Sequence, residues 1–281
     1  MTSRIRRIFA FTGMTLFLSL LFALPRTKSA EDSRLLYMDV DTGGGYPSII
    51  VAANLEEAEN GVRVVGSTTP QPSTIALTIC HAAEEAVGYS IANAFSAQNQ
   101  LAKINLHTGA VTLVGSPFAT QLDMMTLACS PDGILYGIGD DLDPTTSVNF
   151  NSLYTVDRMT GAATRIGSTG VKTDQAAFPS DSGFLMALSF KSDGTLYGVS
   201  DGANGTEHGS TLWTVNRVNG LAMNPVHINV DAAMGLAIAG DGKFYVADYT
   251  FQSKIYALDP VTGITTPILA THLDFVNNIA F

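Results

Sequence analysis

Four aspartates close equivalent short segments of this sequence. Asp41, Asp140, Asp201 and Asp248 each end an alternating apolar stretch, and Asp123, Asp231 and Asp274 each stand just before another. Carboxylates gathered on one rim are a donor set for a hard divalent cation, and Ca²⁺ suits them best because it takes several oxygen ligands. Aspartate also opens turns by accepting hydrogen bonds from backbone N–H groups, which requires no ligand. Both readings stand at this level. Asp140-Asp-Leu-Asp143 is an acidic loop without the regular spacing or distal Glu of an EF-hand. His208 and His272 fall among long loops and are the candidate proton carriers of a hydrolase, lyase or lactonase assisted by a divalent cation. His81, His107 and His227 are scattered elsewhere.

Other chemistries leave no trace. No C-x-x-C-H haem motif and no H-E-x-x-H zinc motif is present. There is no G-x-S-x-G elbow and no phosphate-binding glycine loop. The single tryptophan, Trp213, occupies a core position, so no aromatic plate marks a quinone site. Nothing singles out a pair of carboxylates for glycoside hydrolysis.

The elements that would position these residues are repeats. Met125–Gly137, Met186–Gly198 and Met234–Val246 align, each an alternating strand, an Asp-Gly turn and a second strand. A second half follows each: Leu153-Tyr-Thr-Val-Asp-Arg-Met-Thr-Gly161, Leu212-Trp-Thr-Val-Asn-Arg-Val-Asn-Gly220 and Ile255-Tyr-Ala-Leu-Asp-Pro-Val-Thr-Gly263. A further apolar strand comes after each glycine. Four strands and two tight turns recurring about every 50 residues make a propeller blade. A fainter copy runs from Leu77 to Gly109. Another begins at Leu36 without its first strand, and Asn277–Phe281 matches that missing strand. The expected fold is therefore all-β, a single propeller of five four-stranded blades, with the C-terminal strand completing the N-terminal blade. Such closure leaves no free sheet edge.

The pairing of D-G-x-L-Y-G with L-Y-x-V-D-x-x-T-G resembles the blades of secreted bacterial propeller proteins, the quinoprotein-like, YVTN and NHL-like repeats. The resemblance covers nearly all of the chain beyond residue 30. It implies the fold and leaves the activity open, because propellers host many unrelated functions.

The Asp-Gly and Asp-x-x-Thr-Gly turns are short and alike, so the side that carries them reads as structural. The opposite side receives long, dissimilar loops: Thr42–Ser48, Ala92–Asn99, Asp140–Asn151, Gly167–Phe184 and Asp201–Ser210. Variable loops on a rigid ring are where binding concentrates. The aromatic repeats Tyr37, Tyr136, Tyr197 and Tyr245, and Tyr154, Trp213 and Tyr256, read as core between blades. Met125, Met186 and Met234 read as packing around the channel. Cys80 and Cys129 match each other in the repeat, at a position shared with Phe190, Ile238 and Phe281. Equivalent positions one sheet spacing apart (~10 Å) are too far for a disulfide, so two free, buried thiols are expected.

Residues 1–30 read as a secretory signal peptide: three arginines within the first seven residues, an apolar run over Ile8–Leu24, then small residues near Ser29. Residues 31–281 are the propeller. Removing the leader takes away five basic and no acidic residues, leaving 10 basic against 25 acidic and a formal charge near −15. That charge argues against nucleic acid and anionic membranes. The expectation is a secreted or periplasmic monomer with no nucleotide, haem or quinone cofactor. It binds a ligand, protein or glycan through its acidic long-loop face, with Ca²⁺ as the ion it would use; the cation-assisted enzyme is the alternative.

Overall fold

The computed structural model describes residues 35–281 apart from 43–46, 56–61, 69–72, 81–86, 94–95, 97, 120–121, 143–148, 173–183 and 201–208. Among the described residues there is no helix, and the strands form five four-stranded antiparallel sheets. Blade 1 contains β1 (Leu35–Val40), β2 (Ile49–Asn54) and β3 (Arg63–Ser67). Blade 2 contains β4 (Thr74–Ile79), β5 (Val87–Ala92), β6 (Gln100–Asn105) and β7 (Val111–Leu113). Blade 3 contains β8 (Leu122–Cys129), β9 (Leu135–Leu142), β10 (Asn149–Val156) and β11 (Ala163–Lys172). Blade 4 contains β12 (Leu185–Phe190), β13 (Leu196–Ser200), β14 (Ser210–Val215) and β15 (Ala222–Ile228). Blade 5 contains β16 (Ala233–Ile238), β17 (Phe244–Asp248), β18 (Lys254–Leu258) and β19 (Thr265–Ala270). The last strand, β20 (Val276–Ala280), pairs antiparallel with β1 and becomes the innermost strand of blade 1. The propeller, its five blades and its closure are therefore as the repeats predicted. The stretch from Gly167, expected as loop, instead extends β11 to Lys172.

The blades hold together through apolar faces. Among the described residues, five buried clusters occur, one at each junction between neighbouring blades. Burying one large apolar side chain contributes roughly 1.5–3 kcal/mol. The repeated tyrosines lie in these junctions, as expected: Tyr136 meets Phe190, Tyr197 meets Phe244 and Tyr245 meets Phe281, each across a junction. The glycine that closes the turn after the third strand serves the same purpose. Gly220 has φ +84°, and a Cβ there would lie 2.4 Å from the carbonyl oxygen of Gly167 in the preceding blade. Only glycine allows that approach.

A polar latch repeats at every junction. Ser48, Asn99, Asn151, Ser210 and Ser253 each lie two residues before the first core Leu or Ile of the third strand. Each accepts a hydrogen bond from a backbone N–H of the next blade's inner strand: Thr74, Met124, Leu185, Ala233 and Val276, respectively, the first residue of that strand in every case but Met124, which is the third. The donors are buried, so each latch satisfies a group that would otherwise be costly. Ser253 is fully buried and also bonds the backbone of Thr250. Replacing Ser253 by Ala is expected to cost about 1–3 kcal/mol of stability, measured by urea unfolding; an unchanged midpoint would show that the latch is dispensable.

The cysteines depart from expectation. Cys80 and Cys129 form a disulfide with a Cα–Cα distance of 5.2 Å. The repeat alignment of blade 2 was displaced by one residue. Thr78 lies opposite Tyr89, and Ala128 lies opposite Tyr136, so Ile79 is the equivalent of Cys129, and Cys80 is the next residue along. A one-residue step reverses side-chain direction in a strand, which turns Cys80 toward blade 3. The inner strands also converge at the hub, closer than face-to-face sheets. The N–H of Cys129 donates to Thr78 Oγ1 across the same junction.

Candidate functional site at the long-loop mouth

On the face that carries the long loops, where β1 and β17 end and β20 begins, blades 5 and 1 meet at an aromatic corner. Tyr249 follows β17, Phe251 lies two residues on, and Phe275 directly precedes β20. The ring of Phe275 packs at 5.0 Å from Tyr249 and 4.7 Å from Phe251. Phe251 remains 77% exposed. The backbone around them is tightly tied. Asp41 N–H donates to the carbonyl of Phe275, Phe275 N–H to Thr250, Tyr249 N–H to Ala232 and Ser253 N–H to Leu273. Gln252, His272 and Phe275 all have positive φ, near +56°. That conformation is unusual for non-glycine residues, above all for phenylalanine, and persists only where surroundings impose it.

The carboxylates of this mouth are individually engaged. The hydroxyl of Tyr249 donates to Asp41 Oδ2 at 2.9 Å. Burial, then this bond and the charge of Asp41, raise the pKa of the Tyr249 phenol. Asp248 accepts from the backbone N–H of Lys254 at 2.7 Å and from the hydroxyl of Tyr256 at 3.0 Å. Burial, the Asp248 charge and that bond push Tyr256 up to about 12. Asp274 accepts from Gln252 N–H at 2.8 Å, and Asp123 from Asn99 Nδ2 at 2.8 Å. Asp140 lies within β9, opposite Asp123 on one side and Asn151 on the other. His272 is exposed. Asp201 and His208 lie outside the described residues. Among the described residues, no three His, Cys, Asp or Glu side chains gather closely enough to hold a metal ion.

One acid that the sequence reading passed over lies beneath this rim. Asp39 is fully buried in β1. Thr74 Oγ1 of blade 2 donates to its Oδ2 at 2.7 Å, while its Oδ1 has no close hydrogen-bond partner among the described residues. Desolvation, only partly offset by Thr74 and Ser48 and reinforced by the charge of Asp41, raises its pKa to about 7. Ile91, Ile138, Val199 and Ala247 hold the equivalent position in the other blades, each opposite the first core residue of its third strand. An acid in a column of aliphatic residues was therefore a readable signal. Opposite Asp39 lies Asn278, whose amide reaches Thr126 Oγ1 of blade 3 at 3.4 Å. Blades 1 and 3 are not neighbours, so this contact crosses the channel.

The channel's other mouth is different. A cavity of about 410 Å³ opens on the Asp-Gly side, walled by Ile79, Cys129, Phe190, Ile238 and Phe281 at the ends of the inner strands. Its lining is mostly apolar, with Thr78, Ser130, Ser189 and Ser192 also on its wall.

No protein-family model and no curated protein matches the chain. Solved propellers are similar in fold. TolB from Acinetobacter baumannii aligns at 17% identity and TM-score 0.48, over 87% of this chain and 54% of that one. The PQQ-bound aldose sugar dehydrogenase of Streptomyces coelicolor aligns at 13% identity and TM-score 0.42, over 66% of this chain and 60% of that one. The chain thus spans little more than half the length of either. These likenesses concern the fold alone.

Proposed function

We propose that this protein is an exported, non-catalytic propeller that binds a ligand or partner through its long-loop face. The observation that carries the reading is the Tyr249–Phe251–Phe275 corner. A large ring held in water by loops that several backbone hydrogen bonds and three positive-φ residues fix in place suits a preformed contact surface, because a site already ordered has less entropy to lose on binding. The committed carboxylates favour binding over catalysis: Asp41 and Asp248 each hold a tyrosine hydroxyl rather than converging as a cation's ligands. The Cys80–Cys129 disulfide supports export, since such bonds persist in oxidising compartments.

The test uses a mixed array of glycans and peptides. Phe251→Ala is expected to erase the array pattern, while Val218→Ser, at a site 88% exposed on the opposite face, leaves it intact. The reverse result would move the binding surface to the short-turn side and refute the reading.

A further inference from the structure

The aromatic corner is flanked by carboxylates on two sides. Asp274, itself exposed, accepts a hydrogen bond from the N–H of Gln252, the residue after Phe251, and directly precedes Phe275 in the chain, so it borders the pair in the interlaced loops. Asp41 holds the hydroxyl of Tyr249 at the far side. Aromatic faces carry negative potential, and nearby carboxylates deepen it, so the surface favours a cation over a neutral or anionic group. Among biological cations the guanidinium fits best. It is planar and weakly hydrated, it stacks flat on a ring, and its N–H edge remains free to bond a carboxylate. An ammonium is a more strongly hydrated point charge. The whole molecule adds to the preference, with 25 acidic against 15 basic residues; such a field steers basic partners toward it. The cationic groups on this corner are the exposed Lys254, beyond Asp248, and His272.

Building on the long-loop-face reading above, we propose that this corner receives an arginine side chain from a basic polypeptide segment. The guanidinium lies over Phe251, and its N–H edge bonds Asp274.

Isothermal titration of the purified protein with a capped peptide of alternating arginine and glycine tests this. A lysine-for-arginine peptide and a neutral oligosaccharide are run in parallel. The arginine peptide is expected to bind. Phe251→Ala should weaken it about tenfold, the scale of a lost stacking contact, and Asp274→Asn by roughly three- to fivefold. The lysine peptide should bind more weakly. Raising NaCl from about 50 to about 500 mM should weaken the interaction further. Because Phe251 is exposed, the Phe251→Ala variant should melt like the parent, which separates binding from folding. Absence of arginine-peptide binding, or equal binding by Phe251→Ala, overturns the proposal. Oligosaccharide binding that depends on Phe251 overturns the arginine assignment alone and leaves the long-loop face as the binding surface. If Phe251→Ala alters neither titration nor the array pattern, both readings fall.

Discussion

Replacing Cys80 and Cys129 together by serine is expected to lower the melting temperature by roughly 10 °C. The disulfide joins the inner strands of blades 2 and 3 and closes a separation of 49 residues. Cross-linking a loop of that length removes denatured-state entropy corresponding to about 4 kcal/mol at 25 °C. A domain of this size loses roughly 2–4 °C of melting temperature per kcal/mol. Serine is smaller than half a cystine and leaves a hydroxyl in the apolar cluster between blades 2 and 3, where Cys80 is buried, which adds to the loss. The measurement is thermal unfolding by circular dichroism, with the parent protein in reductant as a second arm. Equal melting of the parent, the reduced parent and the double variant would show that the link adds nothing to the hub.

The second large effect is a stability that falls as pH rises, traced to Asp39. Its folded pKa of about 7 lies above the ordinary aspartate value of 3.8. The native state therefore keeps a proton that the unfolded chain has released. The stability linked to this group is fully present below about pH 4 and declines as pH rises through about 7. Between pH 5 and pH 8 the decline amounts to about 3 kcal/mol, an order-of-magnitude figure from 1.36 kcal/mol per pK unit. The charge of Asp41 acts in the same direction, and hydrogen bonds from the neutral hydroxyls of Thr74 and Ser48 partly offset burial. Asp39→Asn keeps an acceptor for Thr74 and removes the titration. Urea unfolding at pH 5 and pH 8 should show a smaller loss in the variant, and at pH 8 the variant should be the more stable protein. If parent and variant lose stability in parallel, the pH dependence belongs elsewhere. The cost of a buried acid also explains why four blades place Ile91, Ile138, Val199 and Ala247 there instead.

Both effects arise at the hub, where the five inner strands approach one another. Blade 1 is assembled from the two ends of the described chain, and Asp39 faces its junction with blade 2. The disulfide secures the next junction, between blades 2 and 3. The polar latches at Ser48, Asn99, Asn151, Ser210 and Ser253 repeat around the whole ring. The long loops thus rise from a base whose roots are pinned in every blade, a rigid support for the aromatic corner.

The sequence by itself determined the blades, their number and the closing strand. Alternation, Asp-Gly turns and Asp-x-x-Thr-Gly turns are local signals, written within a few residues and repeated, so they survive without coordinates. It also located the tyrosines between blades, since an aromatic that recurs at one strand position must face a recurring neighbour. The latch was legible too, as Ser or Asn at one position in all five copies, although its partner was not. The tertiary structure alone decided what depends on contacts between distant residues. A one-residue displacement in the alignment of blade 2 hid the disulfide, because strand side chains alternate and the hub is narrower than a sheet spacing. Tyr249 and Phe251 stand apart from Phe275 in sequence and join only because blade 5 abuts the blade that the C-terminal strand completes. The aspartates of the rim looked like one set in the repeat; in space, Asp41, Asp123, Asp248 and Asp274 each found a separate partner, since hydrogen bonding is settled by the nearest donor and not by position in a motif.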